Sequence, residues 1–359
     1  MRVVFAHLPT RLTIMFFLSQ MLAACLDAAG SDGERLLNHV SKCLKEGLPQ
    51  LAEEFKISCR QVWRGSGSIR AKHVAVESIY HHRPAPVPAS SMESSQSRAD
   101  HHHDHHHCHS HSHSHSHSHE NHREKDLDEV EVNAESNNDN ANTSNNQQEI
   151  SSHSHHHHHD GPLRNLPEIR QMLLDAEKQW IPAAVRETAI QCFTELAIAE
   201  ATVHGADSSD AVHFHEVGAV DSIVDTIGTL LALHCLGVET VSCSRLPLGE
   251  GHVRTAHGIL PVPAPATLRL MIGMPTTKGP PGWTGELVTP TGAALLRVLT
   301  NSYTTTSTTQ QHIPDPTTPS ESTAGKPPPF TLLKVGIGAG TKNFKQHPNI
   351  VRLMVGVLA

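Results

Sequence analysis

The sequence runs to 359 residues and carries 28 Lys and Arg against 36 Asp and Glu, a formal net charge of −8. A nucleic-acid surface needs clustered basic residues, so that partner class is excluded. The length exceeds the ~250 residues at which single cores stop growing, which predicts two domains, or one domain with long linkers. Nineteen of the 32 histidines lie in two tracts, HHHDHHHCHSHSHSHSHSHENH from His101 and HSHHHHHD from His153, so charge near neutrality depends on protons and on metal.

In chain order, Leu12–Cys25, LTIMFFLSQMLAAC, is an apolar run preceded by Arg2 and Arg11, and its end, Leu22-Ala23-Ala24-Cys25, has the form of a lipoprotein cleavage box. Export with anchoring through Cys25 is therefore one expectation. Ser19 and Gln20 interrupt the run, and LDAAGSDGERLLNHV continues it as a helix, a turn at Gly30 and a second helix. The run is shorter than the ~20 apolar residues a bilayer span needs. The seven cysteines, at 25, 43, 59, 108, 192, 235 and 243, form no C-x-x-C pair. That favours a reducing compartment, so a cytoplasmic protein without a membrane partner is the leading expectation.

Leu36, Leu37, Val40 and Leu44 recur at helical spacing, and Lys56–Val62 and Ile69–Val76 alternate as two strands around Gly65-Ser66-Gly67, predicting a small α/β unit over 1–80. Residues 81–160 are rich in Pro, Ser, His, Asn and acid and predict a disordered, metal-binding insertion. The core expected over 161–359 begins with Asn165 capping a helix that has Pro167 and Glu168 in its first turn. Further helices are predicted over Pro182–Val203 (stopped by Gly205), Gly218–Leu236, Pro263–Met271 and Thr291–Leu299. Strands are predicted over Val238–Ser244, Thr331–Val335 and Ile350–Val357, with a disordered loop over 304–329. The fold class is α/β or α+β, mixed helices and strands in a core interrupted by the His-rich insertion.

Three stretches can carry chemistry. In VHFHEVGAVDSIVD, His213 and His215 share one face of a strand, and Asp221 and Asp225 lie one turn apart in an otherwise apolar helix. Two imidazoles with Glu216, Asp221 and Asp225 suit a borderline divalent metal or acid–base work, the carboxylates being the catalytic candidates. In LPLGEGHVRTAHGILPVPAPAT, Gly249 and Gly251 permit close approach of a ligand and Arg254 suits a phosphate, with His252 and His257 among them. In GELVTPTGAALL, Thr289 or Thr291 caps a helix whose first amides favour an anion. VGIGAGTKN is a strand followed by glycines with no helix after it, which argues against a nucleotide fingerprint. His204 is a further imidazole candidate. The tract histidines, His105, His107, His109, His111, His113, His115, His117, His119, His155 and His157, can bind metal at many geometries. A flexible tract cannot hold a reacting centre still, so storage or delivery is its expected role.

Taken together and in this order, VHFHEVGAVDSIVD, LPLGEGHVRTAHGILPVPAPAT, GELVTPTGAALL and VGIGAGTKNF resemble the blocks of the LarC family of nickel insertion proteins, and MLAACLDAAG is similar to that family's first helix. The resemblance implies a metallochelatase that inserts Ni(II) into pyridinium-3,5-bisthiocarboxylic acid mononucleotide, completing the nickel-pincer cofactor of lactate racemase, with CTP and a divalent metal as accessories. It also implies proteins of the lactate racemase pathway and a second copy of the chain as partners. Where the family has a Gly-rich loop ending in Gly-Asp-Met, this sequence reads Ser19-Gln20-Met21, and the family's C-terminal part does not follow the GAG block. Those departures motivate an alternative, a non-enzymatic nickel or zinc store derived from the same family.

Overall fold

The computed structural model describes residues 2–7, 18–66, 68–79, 164–212, 214, 219–255, 257–280, 283–300, 323–325, 328–344 and 347–359. Its centre is a six-stranded mixed sheet in the order β2-β3-β9-β10-β1-β4. β1 (Arg2–His7) runs antiparallel to β10 (Ile350–Leu358) and parallel to β4 (Thr240–Cys243). β9 (Phe330–Ala339) pairs antiparallel with β10, and the hairpin of β2 (Phe55–Arg64) and β3 (Ile69–Ser78) joins β9 through the parallel pair Lys72 and Gly338. Two small two-stranded pieces lie outside it: β5 (Leu246–Leu248) with β8 (Thr276–Lys278), and the hairpin of β6 (His252–Thr255) and β7 (Gly258–Pro261). The mixed class read from the sequence is what the chain adopts.

The expected small N-terminal unit is corrected by this topology. Strands from the first eighty residues and from the last thirty share one sheet, so residues 2–7, 18–66 and 68–79 belong to the main core. The segment read as an export leader contributes β1 to the sheet, and α1 (Leu18–Ala28) is a core helix whose Met21, Leu22, Ala23, Ala24, Cys25 and Leu26 are fully buried. After a left-handed turn at Gly30 (φ 62°), α2 (Gly33–Gly47) packs Val40, Cys43 and Leu44 inward.

Three alternate glycines of β9 and the turn after it decide how α1 sits. A Cβ on Gly336 would run into the Ala24 carbonyl, one on Gly338 into the Gln20 carbonyl, and one on Gly340 into the Gln20 amide. The period of two puts all three on one face of the strand, so the helix lies directly on its backbone. Helix-to-strand contact accounts for the glycines of VGIGAG.

The remaining helices follow local rules. α3 (Leu166–Asp175) starts with a complete capping box: Asn165 Oδ1 accepts from Glu168 N–H at 2.9 Å, and Glu168 Oε2 accepts from Asn165 N–H at 2.8 Å. α4 (Ala183–His204) is stopped by Gly205 in the left-handed conformation. α5 (Val220–Cys235) is buried along most of its length, and α6 (Pro265–Met271) and α7 (Pro290–Leu299) pack on α4 and complete the core. Within the stretch expected to be a disordered loop, Thr323–Gly325 runs beside β4: Thr323 Oγ1 donates to Val241 O at 2.6 Å, and Gly325 N–H donates to Cys243 O at 2.6 Å. Backbone groups at the free edge of β4 are satisfied there, which composition alone does not show.

The His-rich insertion expected over 81–160 lies outside the described residues, but its two attachment points do not. Ile79 N–H donates to the Glu54 carbonyl at 3.0 Å, and Arg164 Nη2 donates to both Glu54 carboxylate oxygens at 2.7 and 2.8 Å. One residue therefore grips the chain on both sides of the insertion.

Candidate functional site

The carboxyl ends of parallel strands are where α/β sheets gather ligands. β1 and β4 are parallel; α1 begins beyond the end of β1, and α5 leads into β4 through the turn at Gly237, so its first turn lies towards the end of β4. Asp221 and Asp225 come from that first part of α5. The Oδ1 atom of each is sealed from solvent and has no hydrogen-bond partner. Burial, then the neighbouring Asp221 carboxyl, raise Asp225 well above the ordinary carboxylate range, although its other contacts with the Ser19 N–H and hydroxyl pull the opposite way. Both carboxyls stand in the first part of α5, and Asp225 meets the N-terminus of α1 at Ser19.

Ser19 is the partner that sequence reasoning missed; its only signal was its place in Ser19-Gln20-Met21. Gln20, beside it, is fully buried. Its Nε2 donates to Asn349 Oδ1 at 3.0 Å, Asn349 Nδ2 donates to the Lys342 carbonyl at 3.2 Å, and Gln20 Oε1 is sealed without a partner. This buried amide ties α1 to the turn between β9 and β10.

The phosphate candidates are placed differently. A Cβ on Gly249 would strike the Gly285 carbonyl and come within 2.6 Å of Val262 Cγ1, so the close approach it permits is to this chain's own 283–287 loop, which also bonds Gly285 N–H to the Glu250 carbonyl at 2.6 Å. Gly251 takes φ 91° in the same turn. Arg254 is exposed on β6. Thr289 caps α7, its Oγ1 accepting from Gly292 N–H at 3.2 Å, with Thr291 Oγ1 3.2 Å away. Gly249, Gly251 and Thr289 serve local structure here.

The imidazoles divide in two. His213, His215 and Glu216, and all the tract histidines, lie outside the described residues. His204, the last residue of α4, and His257, in the turn between β6 and β7, are brought together with ring centroids 4.7 Å apart and planes at 49°. Glu200, which the sequence reading did not single out, places Oε2 3.5 Å from His204 Nε2. His252 is exposed on β6. Among the described residues no three His, Cys, Asp or Glu side chains are already gathered as a metal-ligand set. Among them, too, no helix is long and apolar enough to cross a membrane.

A mixed α/β core with a sealed carboxyl pair and a close imidazole pair has the donor chemistry of proteins that handle divalent metal ions. The family model described as "Nickel insertion protein" matches residues 19–313, and the chain belongs to that family. Curated relatives carry the description "Putative nickel insertion protein". That of Citrifermentans bemidjiense is 45% identical over 197 residues, 55% of this chain and 44% of its own length. That of Synechocystis sp. is 45% identical over 194 residues, 54% of this chain and 40% of its own. That of Myxococcus xanthus is 43% identical over 198 residues, 55% and 43% respectively. The chain thus spans less than half the length of these relatives. No solved structure matches.

Proposed function

We propose that the protein is a nickel chelatase that inserts Ni(II) into pyridinium-3,5-bisthiocarboxylic acid mononucleotide to form the nickel-pincer cofactor of lactate racemase. The observation that carries the reading is the sealed Asp221–Asp225 pair within a chain of the nickel insertion family. Insertion forms a bond from nickel to a ring carbon, and the ring proton must leave. Burial and the neighbouring Asp221 carboxyl favour the protonated form of Asp225, and we assign the ring proton to this carboxyl pair, with Ser19 bonded to Asp225. His213, His215 and Glu216, with His204, His252 and His257, supply the imidazole and carboxylate ligands from which Ni(II) passes to the softer sulfurs of the substrate. Arg254, Gly249, Gly251 and the α7 cap at Thr289 and Thr291 are assigned to the substrate phosphate.

The two tracts, with His105 to His119 and His155 and His157 as ligands, collect nickel and raise its concentration beside the site. We place the protein in the cytoplasm; the six described cysteines are all free, which supports a reducing compartment. Cys25, the anchor in the exported alternative, is fully buried, and burial pushes its thiol up to about 12. An intact Met1 or an unmodified Cys25 by mass spectrometry rules out the lipoprotein.

Purified protein mixed with Ni(II) and the apo-nucleotide, with and without CTP, is expected to develop the pincer chromophore. No product under either condition overturns the reading. The second reading, a nickel or zinc store, is favoured by the replacement of Gly-Asp-Met by Ser19-Gln20-Met21. If deleting residues 100–160 removes all bound metal and the remaining core binds neither metal nor nucleotide, storage is the whole function.

A further inference from the structure

We infer that Arg60 and His73 form a binding site for a phosphate group, with Arg64 supplying further positive charge. Arg60 of β2 and His73 of β3 are direct cross-strand partners, so their side chains rise together on one face of the hairpin. Lys72, next to His73, donates from Nζ to the Leu26 carbonyl of α1 at 3.2 Å, so the alternation along β3 turns His73 and Arg60 to the face away from α1. Arg64 is an even number of positions from Arg60 on β2 and shares that face. It is buried and held by backbone: Nε and Nη2 donate to the Gly340 carbonyl at 2.9 and 2.7 Å, and Nη1 donates to the Trp63 carbonyl at 3.1 Å. Neutral carbonyls fix the guanidinium and leave its charge in place. Arg60 is exposed, and among the described residues its side chain has no hydrogen bond or ion pair. His73 is only 6% exposed; its Nε2 lies 3.4 Å from Thr341 Oγ1, and its Nδ1 is sealed without a partner.

Burial, then Arg60 and Arg64, push the His73 imidazole below its ordinary range, and burial, then Arg60, lower Arg64 likewise. An anion beside these groups relieves the repulsion among them. With the Thr341 hydroxyl donating to Nε2, the single N–H of the neutral ring sits at Nδ1, and Arg60 offers a planar fork of donors. The two oxygens of a carboxylate are both taken up by such a fork, whereas a phosphate has a third oxygen left for Nδ1–H, which selects phosphate. Arg60, the exposed member, receives the anion first, and a small shift of the side chains brings Nδ1–H to it. The site lies on the opposite face of the sheet from α1 and goes beyond the nickel reading without resting on it.

Calorimetric titration of the metal-free full chain with inorganic phosphate tests it, at about pH 8, where the tract imidazoles are neutral. One saturable site is expected. Arg60→Gln is expected to weaken it at least about tenfold. Arg245→Gln makes the same charge change at an exposed position just past β4, at the other edge of the sheet, and is expected to alter affinity by less than about twofold. Equal weakening in the two variants, or no saturable binding, overturns the site. The His73 ring signal, assigned through His73→Gln, is a second measurement by NMR. A bound anion favours the protonated ring, so its midpoint is expected to move to higher pH in phosphate than in chloride of equal ionic strength, and an unmoved midpoint overturns the site. Adenosine monophosphate binding tighter than inorganic phosphate assigns the site to a nucleotide's phosphate; equal or weaker binding assigns it to the free ion.

Discussion

Asp221 and Asp225 differ from His204 and His257 in the one property that governs exchange, access to water. The Oδ1 atoms of Asp221 and Asp225 at the start of α5 are sealed, and Asp225 is driven towards its protonated form. The imidazoles at the end of α4 and the tip of the β6–β7 hairpin are open to solvent. Burial makes a group responsive to its neighbours' charge, whereas exposure lets it bind and release an ion quickly. The proposed chelatase reaction needs both environments, and this fold supplies them on separate elements.

The largest way to break the sealed region is to lift α1 off the sheet. Gly338→Val places side-chain atoms in the Gln20 carbonyl, displaces Ser19 from Asp225, and is expected to cost about 3 kcal/mol or more in chemical denaturation. Asp225→Asn tests protonation. Because the folded-state pKa lies above the unfolded one, the native chain keeps a proton that the unfolded chain releases. Stability therefore falls as pH rises from the ordinary Asp range through the folded-state value and is level beyond it. Denaturation midpoints of Asp225→Asn against pH are expected to lack that fall; an unchanged slope would mean the proton sits elsewhere. Ser19→Ala removes one of two donors to Asp225 and is expected to cost about 1 kcal/mol near neutral pH, read as a shift in the urea midpoint. His204→Ala, on the open side of the comparison, is expected to change stability by no more than about 0.5 kcal/mol. Deleting the tracts is expected to slow chelation at low nickel and to matter little at high nickel; equal loss at both would give them a direct part in the chemistry.

What the sequence made legible was local. The capping box at Asn165, the stop at Gly205 and the Asp221–Asp225 spacing depend on residues within one or two turns, and all three appear as read. What it hid was set by distant partners. Arg2–His7 looked like the flank of a leader because its sheet neighbours, β10 and β4, lie more than two hundred residues away. The alternate glycines of VGIGAG have a meaning only once α1 is laid across them. Ser19 beside Asp225, and His257 beside His204, are likewise products of packing between elements that no periodicity connects.

Glu54 has a consequence for the length of the segment it closes. Its carbonyl and carboxylate fasten Ile79 and Arg164 at one point, so the two chain ends of that segment are closed at a single residue. Closing a longer loop at such a point costs only about 0.6 kcal/mol for each doubling of its length. A change in the number of residues between Ile79 and Arg164 therefore costs the core little, because the two ends stay fastened to one side chain and its carbonyl.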